Sequence, residues 1–402
     1  MHLLKSSADY NLTFSTFTHA VKILMNAIIS ILNYKKLILK YKKHMTRAEI
    51  DKNNCLAIYE DQFNNYHLHP LWLRERVTEL EFLDSNNYQR LYEPSLITQN
   101  ITIKNFSIDK EILKIKFSDG VEGSFLLNEL LSELKQKDII PEKKPWKNEF
   151  ENLPIYDFKS LNEAKFFLNL LSDFQELGFV IVKNTSVEDG TVLKFAEIFG
   201  PVRTTNFGKH FDVVSKPKAN DLAYTSLGIK AHTDNPYRKP IPGIQILHCI
   251  SNEAKGGDSS LVDGYAVAEY LKINEPEMFE ILTTTNVLFK FVDKDIILEN
   301  YGKLIELDHN GKYLQSRFSG RLDYVPYLEP SQLEKFYSAR KKLFHLYESE
   351  EFELNFRLDS GMLMMFDNIR VLHGRTEYDV NTGFRHLQGC YIDHDSAEGK
   401  LR

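Results

Sequence analysis

Cysteine, tryptophan, long apolar runs and surplus positive charge are all scarce in this 402-residue chain. The three cysteines, Cys55, Cys249 and Cys390, are odd in number and far apart, which argues against a disulfide framework and for a reducing compartment, the cytoplasm. With 50 Lys+Arg against 56 Asp+Glu the formal net charge is -6, so the electropositive field of a nucleic-acid binder is missing. No nucleic-acid partner is expected. The one greasy run, Val21 to Leu32, is broken by Lys22, Asn26 and Ser30 and is shorter than the roughly 20 apolar residues that span a bilayer. It is no secretory signal either, because a mixed stretch precedes it and Asn33-Tyr34-Lys35-Lys36 follows in place of a small-residue cleavage site. Residues 1–45 read as an extension outside the native fold, an amphipathic helix followed by Lys35, Lys36, Lys40, Lys42 and Lys43, with Met45 opening the ordinary sequence.

What is present suits a packed protein. Hydrophobic residues make up 43%, and 20 Tyr with 27 Phe supply ample aromatic surface. At about 100–200 residues per domain the length predicts two or three units. Residues 46–142 read as a small β-rich domain: Ile101-Thr102-Ile103 and Ile112 to Phe117 alternate apolar and polar residues, and Ser118-Asp119-Gly120 supplies a hairpin turn. The segment from Asp138 to Pro154, with Pro141, Pro145 and Pro154 among charges, reads as a linker or surface crossing. Residues 150–402 form the second domain. Asn162 to Leu171 and Val192 to Phe199 have helical spacing, while Phe179 to Val182 is a short buried strand. Farther on, Ile244 to Leu247, Leu304 to Leu307 and Met362 to Phe366 recur between turns, as in a jelly roll or barrel. The predicted class is mainly β with flanking helices, and no internal repeat is visible.

The chemistry is concentrated in two short stretches. Ala231-His232-Thr233-Asp234 sets an imidazole and a carboxylate two residues apart, which on an extended backbone point the same way. His373 lies far downstream in Val371-Leu372-His373-Gly374-Arg375, at the end of an apolar strand. Two histidines and one carboxylate can hold one face of an octahedral iron(II) and leave the other positions open. Zinc is the alternative metal, although no zinc helix motif is present. Arg385, twelve positions after His373, could grip a dicarboxylate bidentately.

That combination resembles the iron(II)- and 2-oxoglutarate-dependent dioxygenases, and within them the γ-butyrobetaine dioxygenase and trimethyllysine dioxygenase group. The matching stretches are His69 to Arg74, Leu222 to Thr225, His232-Thr233-Asp234, Gly243 to Cys249, Gly256 to Ser259, Leu261 to Gly264 and Leu372 to Arg375. The resemblance covers nearly all of the chain from Met45 onward. It implies a double-stranded β-helix core, a smaller N-terminal domain and, often, a homodimer. It further implies that His232, Asp234 and His373 bind Fe(II), and that Arg385 meets the distal carboxylate of 2-oxoglutarate. Ser259 sits where such enzymes place a hydroxyl on the cosubstrate, or else it caps a turn. Arg375 positions the second carboxylate or holds the strand end. Dioxygen is the other cosubstrate, with ascorbate as a stimulant.

A trimethylammonium group has no hydrogen-bond donors and binds through aromatic faces. The family's cage positions fall on Phe207, Phe211, Tyr224 and Tyr391, and the substrate's other end falls near Asn220 and Asp221. Two departures stand out. The zinc ligands of animal members have no counterpart in Arg74 to Leu80 or Gly120 to Gly123, so no structural zinc is expected. An asparagine facing the butyrobetaine carboxylate is Asp221 here and an Asn-Asn pair reads Ser319-Gly320, which leaves Asn220, Arg317 or Lys209 to bind that carboxylate. The expected reaction is hydroxylation of γ-butyrobetaine to L-carnitine with succinate and carbon dioxide. Trimethyllysine, a trimethylaminoethylphosphonate and, more remotely, a taurine-type sulfonate are the competing substrates. A non-catalytic quaternary-amine binding protein is the rival of a different class.

Overall fold

A computed structural model describes residues 47–60, 65–79, 81–135, 140–214 and 225–402. The expected Val21–Leu32 helix lies outside them. Two compact units divide between Lys137 and Asp138. In the first, β1 (Arg47–Ile50), β2 (Leu56–Tyr59) and β3 (Asn65–Leu68) form one antiparallel sheet, followed by the short helix α1 (Pro70–Arg74). A second meander of β4 (Ile103–Asp109), β5 (Ile112–Phe117) and β6 (Glu122–Leu126) leads into α2 (Leu127–Leu134). Alternation in β5 buries Leu113, Ile115 and Phe117 against Leu56, Ile58 and Leu73, which is why the period of two was visible in sequence. β4 begins at Ile103 and not at Ile101, because the Thr102 amide donates to Ser118 Oγ at 3.0 Å.

The second unit opens with β7 (Ile155–Asp157), α3 (Ala164–Leu177), β8 (Phe179–Lys183), α4 (Thr191–Phe199), β9 (Phe211–Val213) and β10 (Ile229–His232). Next come β11 (Ile244–Asn252), β12 (Lys255–Gly256), β13 (Ser259–Asp263), α5 (Gly264–Asn274) and α6 (Pro276–Thr284). A hairpin of β14 (Val287–Asp293) and β15 (Ile296–Gly302) precedes β16 (Ile305–Leu307), β17 (Tyr313–Ser316), β18 (Asp323–Tyr324) and α7 (Pro330–Tyr347). The chain ends with β19 (Glu353–Phe356), β20 (Leu363–Asp367), β21 (Val371–Arg375), β22 (Tyr378–Asp379), β23 (Arg385–Ile392) and α8 (His394–Leu401).

Two sheets make the core. One has the order β7-β8-β20-β11-β23-β9 and the other β10-β21-β13-β19, a double-stranded β-helix in a mainly β molecule. The larger sheet is covered on both faces, so its strands read as unbroken apolar runs. Val180, Val182, Ile244, Ile246 and Met365 meet α3, α4 and α8, while Phe179, Leu247, Met364 and Phe366 pack against Leu261, Leu354 and Val371 of the smaller sheet. The helix expected to start at Asn162 is preceded by a 3₁₀ turn, Phe158–Asn162, and runs on to Leu177. Gly178 ends it in the left-handed region at φ +79°, where a Cβ would lie 2.9 Å from Val371 Cγ2.

The segment expected as a linker packs as core in its described part. Trp146 is buried; its amide donates to Asp263 Oδ2 at 3.1 Å and its indole to the Leu177 carbonyl at 2.6 Å, between the rings of Phe150 and Phe179. Its prolines and charges concealed one anchoring aromatic. A fully buried Arg370–Asp263 pair, two contacts of 2.9 Å, holds the turn between β20 and β21 to the end of β13.

Candidate active site

Strand pairing brings the two histidines together. β10 and β21 are antiparallel neighbours, and their register sets His232 opposite His373. Asp234 follows on the turn leaving β10. There the buried Asn368 side chain accepts from the Asp234 amide at 2.7 Å and donates to the carbonyls of Asp234 and Pro242 at 3.0 and 2.9 Å. His232 Nδ1 lies 2.9 Å from the Lys230 carbonyl, so that nitrogen carries the proton and the Nε2 lone pair faces Asp234 Oδ1 at 3.3 Å. His373 Nε2 is 4.0 Å from Asp234 Oδ2. One donor atom from each of the three residues lies within 4.8 Å of the others, the one such group among the described residues.

The electrostatics suit a cation. Burial opposes charge on Asp234, yet His232, His373 and Tyr391 hold its carboxyl well below the usual range. Burial first, and then the neighbouring His232, push the His373 imidazole down to about 3, which keeps it neutral with a free lone pair. One contact was not foreseen: Tyr391 donates its hydroxyl to Asp234 Oδ2 at 2.7 Å. An anionic oxygen flanked by two imidazole nitrogens is the donor set that octahedral iron(II) accepts, so the residues fit that metal.

A second cleft adjoins this group. His232, Asp234, His373, Ser259, Arg375 and Arg385 all line it. β13 pairs Ser259 with Arg375, and β11 pairs Asn252 with Arg385, so sheet register delivers each polar group. Arg385 gives Nη2 to the Gly257 carbonyl at 3.2 Å, while its buried Nε and Nη1 have no acceptor among the described residues. Gly257 is at φ +71°, and a Cβ there would lie 2.8 Å from Arg385 Nε. Arg375 Nη2 binds the carbonyls of Thr225 and Leu227 at 2.7 and 2.8 Å. Burial, and then Arg385, push the Arg375 pKa down to about 10. Two buried guanidiniums, that of Arg385 with two donors lacking an acceptor among the described residues, form a seat for an anionic dicarboxylate.

On the other side of the carboxylate lies an aromatic pocket. Phe207, Phe211 and Tyr391 line it with His232 and Asp234; ring centroids are 6.5 Å apart for Phe207–Phe211 and 5.4 Å for Phe211–Tyr391. Gly389 lets Phe211 lie across β23, since a Cβ there would meet the ring at 2.5 Å. Asn220, Asp221 and Tyr224 lie outside the described residues. Ser319 Oγ is buried without a partner among the described residues and lines the pocket with Arg321. Arg317 does not: it pairs with Glu306 at 3.1 Å, which its position beside β16 dictates. Lys209 is not among the lining residues either. Tyr237 and Phe291 line the pocket unforeseen, since neither lies in a motif.

Comparison with known proteins agrees with this geometry. A family model described as taurine catabolism dioxygenase TauD, TfdA family, matches residues 138–391. The chain belongs to the TauD/TfdA dioxygenase family. This dioxygenase is 32% identical over 352 residues to a γ-butyrobetaine dioxygenase of Pongo abelii, covering 83% of this chain and 90% of that protein. A γ-butyrobetaine dioxygenase of Pseudomonas sp. (strain AK-1) is 30% identical over 341 residues, 83% of this chain and 89% of the relative. A mitochondrial trimethyllysine dioxygenase of Bos taurus is 28% identical over 372 residues, 87% of each chain. Among the described residues no helix is long and apolar enough to cross a membrane.

Proposed function

We propose that this dioxygenase depends on iron(II) and 2-oxoglutarate and hydroxylates γ-butyrobetaine to L-carnitine, with succinate and carbon dioxide as the other products. The observation that carries the reading is one pocket in which the rings of Phe207, Phe211 and Tyr391 stand beside the donors His232 and Asp234. Rings without donors or acceptors on their faces suit a trimethylammonium head, and the donor set lies within reach of the carbons next to it. His232, Asp234 and His373 would hold the metal. Bound iron with 2-oxoglutarate and dioxygen supplies the oxidising power for cleaving an unactivated C–H bond.

The chain's own residues position and shield. Arg385 would clamp the distal carboxylate of 2-oxoglutarate through its two unsatisfied nitrogens, with Ser259 as a hydroxyl partner and Arg375 supplying positive potential. The Tyr391 hydroxyl fixes the Asp234 carboxylate, so the ring that meets substrate also orients a metal ligand. Ser319 Oγ and the Arg321 guanidinium would receive the substrate carboxylate in place of Asn220, Arg317 or Lys209.

Trimethyllysine is the second reading, favoured by Asp221, whose charge would suit an α-ammonium group. The test is succinate release from iron-reconstituted protein across γ-butyrobetaine, trimethyllysine, trimethylaminoethylphosphonate and taurine. Stimulation by γ-butyrobetaine above the rest supports the proposal. Stimulation by trimethyllysine alone replaces the substrate, and binding without succinate leaves a non-catalytic quaternary-amine receptor. We further propose a homodimer in the cytoplasm, stimulated by ascorbate and without structural zinc; light scattering and metal analysis of the same preparation check the assembly and the metal.

A further inference from the structure

Five rings, not three, line the aromatic pocket, and they form a continuous arc. From Tyr391 to Phe211 the centroids are 5.4 Å apart, from Phe211 to Phe207 6.5 Å, from Phe207 to Phe291 5.9 Å and from Phe291 to Tyr237 5.0 Å. The last pair is stacked at 18°, whereas Phe207 meets Phe291 edge-on at 67°. Both ends of the arc are tied to neighbouring residues: the Tyr391 hydroxyl donates to Asp234 and the Tyr237 hydroxyl to Asn235. The arc therefore begins at Asp234 and ends at the next residue in the chain, Asn235.

Phe291 is the member with the most distinct origin. It stands on β14, two residues beyond Phe289, so the face that buries Phe289 in the core continues outward as a wall of the pocket. Asn300, paired with Phe289 across the β14–β15 hairpin, donates its side-chain amide to the Arg238 carbonyl at 2.7 Å. That clamp locks the hairpin to the turn carrying Tyr237, so the stacked pair is held from outside the pocket. Just past Phe291, Val292 and Ile297 are 60% and 61% exposed, so the hairpin tip does not depend on the Phe291 ring for burial.

We propose that Phe291 is a specificity-determining residue: it closes the compartment for the ammonium head and limits the head to three methyl groups. The inference rests on the trimethylammonium reading given above. A quaternary ammonium attracts ring faces electrostatically, and a wall at fixed distance also excludes larger alkyl groups. Remove the ring and the compartment opens toward the hairpin; both affinity and size selection fall together.

The test compares wild type, Phe291→Ala, Phe291→Leu and Phe291→Tyr on γ-butyrobetaine, its triethylammonium homologue and its uncharged tert-butyl isostere. Phe291→Ala should raise KM for the trimethylammonium substrate about tenfold, leave KM for 2-oxoglutarate unchanged and gain turnover of the triethyl homologue. Phe291→Leu keeps apolar bulk; it should narrow the KM gap between the charged substrate and its neutral isostere, and Phe291→Tyr should restore wild-type values. Unchanged KM and continued rejection of the triethyl homologue in both Phe291→Ala and Phe291→Leu, with a wild type that turns over the trimethyl compound, would overturn this inference alone. A wild type stimulated by no trimethylammonium compound would overturn the functional reading and this inference with it.

Discussion

On one side of Asp234 every polar group comes from a strand whose neighbours set its position: Ser259 opposite Arg375, His232 opposite His373 and Arg385 at the start of β23. On the other side Phe207 and Tyr237 come from turns and Phe291 from the β14–β15 hairpin, while Phe211 on β9 and Tyr391 on β23 belong to the larger sheet. The first arrangement is fixed by backbone hydrogen bonds of two sheets, and a residue cannot move without breaking a ladder. In the second, Phe211 and Tyr391 share the larger ladder, but Phe207 and Tyr237 stand on turns held by ring contacts and Phe291 on a hairpin outside both core sheets. In the proposed function, chemistry that tolerates no displacement would sit on the rigid lattice, while part of the substrate wall would sit where a single substitution can reshape it without disturbing a core strand.

The largest effect expected is on the rigid side. His232→Ala, Asp234→Ala and His373→Ala should each bring succinate formation below detection and abolish stoichiometric metal binding, while thermal unfolding remains cooperative. Normal turnover in any one would break the donor assignment. Arg385→Lys comes next. An ammonium cannot reproduce the fork, and losing one charge-assisted hydrogen bond at roughly 1.5–3 kcal/mol corresponds to a rise of about ten- to a hundredfold in the 2-oxoglutarate requirement. KM for the quaternary amine should stay near wild type, and an equal rise in both constants would erase the division between the two sides.

Tyr391 is where the sides touch. Tyr391→Phe keeps the ring and removes the hydroxyl on Asp234, so metal affinity, read by manganese or cobalt titration, should fall about tenfold while the substrate KM moves less. A larger effect on substrate than on metal would place Tyr391 with the rings alone.

The smallest effect concerns the lattice itself. His394 sits 3.0 Å from Asp367 at the end of β20. Burial disfavours charge on both, but each partner outweighs it: Asp367 raises the His394 pKa above its ordinary 6.5, and His394 pushes Asp367 down to about 2. The raised histidine contributes stability that is complete below pH 6.5 and fades as pH climbs through the folded value. The depressed aspartate contributes stability that is complete above pH 3.8 and fades toward pH 2. His394→Asn should therefore cost about 1 kcal/mol near pH 5 and progressively less above neutrality, measured by urea unfolding across pH. A cost that grows with pH would reverse the assignment.

The same contrast explains what was legible beforehand. Strands buried on both faces announce themselves as apolar runs, so β8, β11 and β20 were visible within a few residues, and the His-x-Asp spacing with a distant His-Gly-Arg singled out the group that β10 and β21 bring together. Phe291 gave no such signal, because an alternating strand reads the same whether its last ring meets core or ligand. Arg370 looked like one more charged residue in a turn; only the fold shows it fully buried against Asp263. Trp146 was hidden by the prolines around it, and its role depends on Asp263 and Leu177, residues far away in the chain. Local patterns encode ladders, and long-range clamps are encoded in pairs of residues that no window contains.

In the proposed reaction the two sides act together, coupling oxidation of a trimethylammonium substrate to decarboxylation of 2-oxoglutarate. The most direct measurement is turnover of γ-butyrobetaine by iron-reconstituted protein under ¹⁸O₂, with both products followed by mass spectrometry. Labelled L-carnitine is expected in an amount equal to the succinate formed, with neither product above background in His373→Ala. Succinate formed at the same rate with and without γ-butyrobetaine, or carnitine without label, would contradict it.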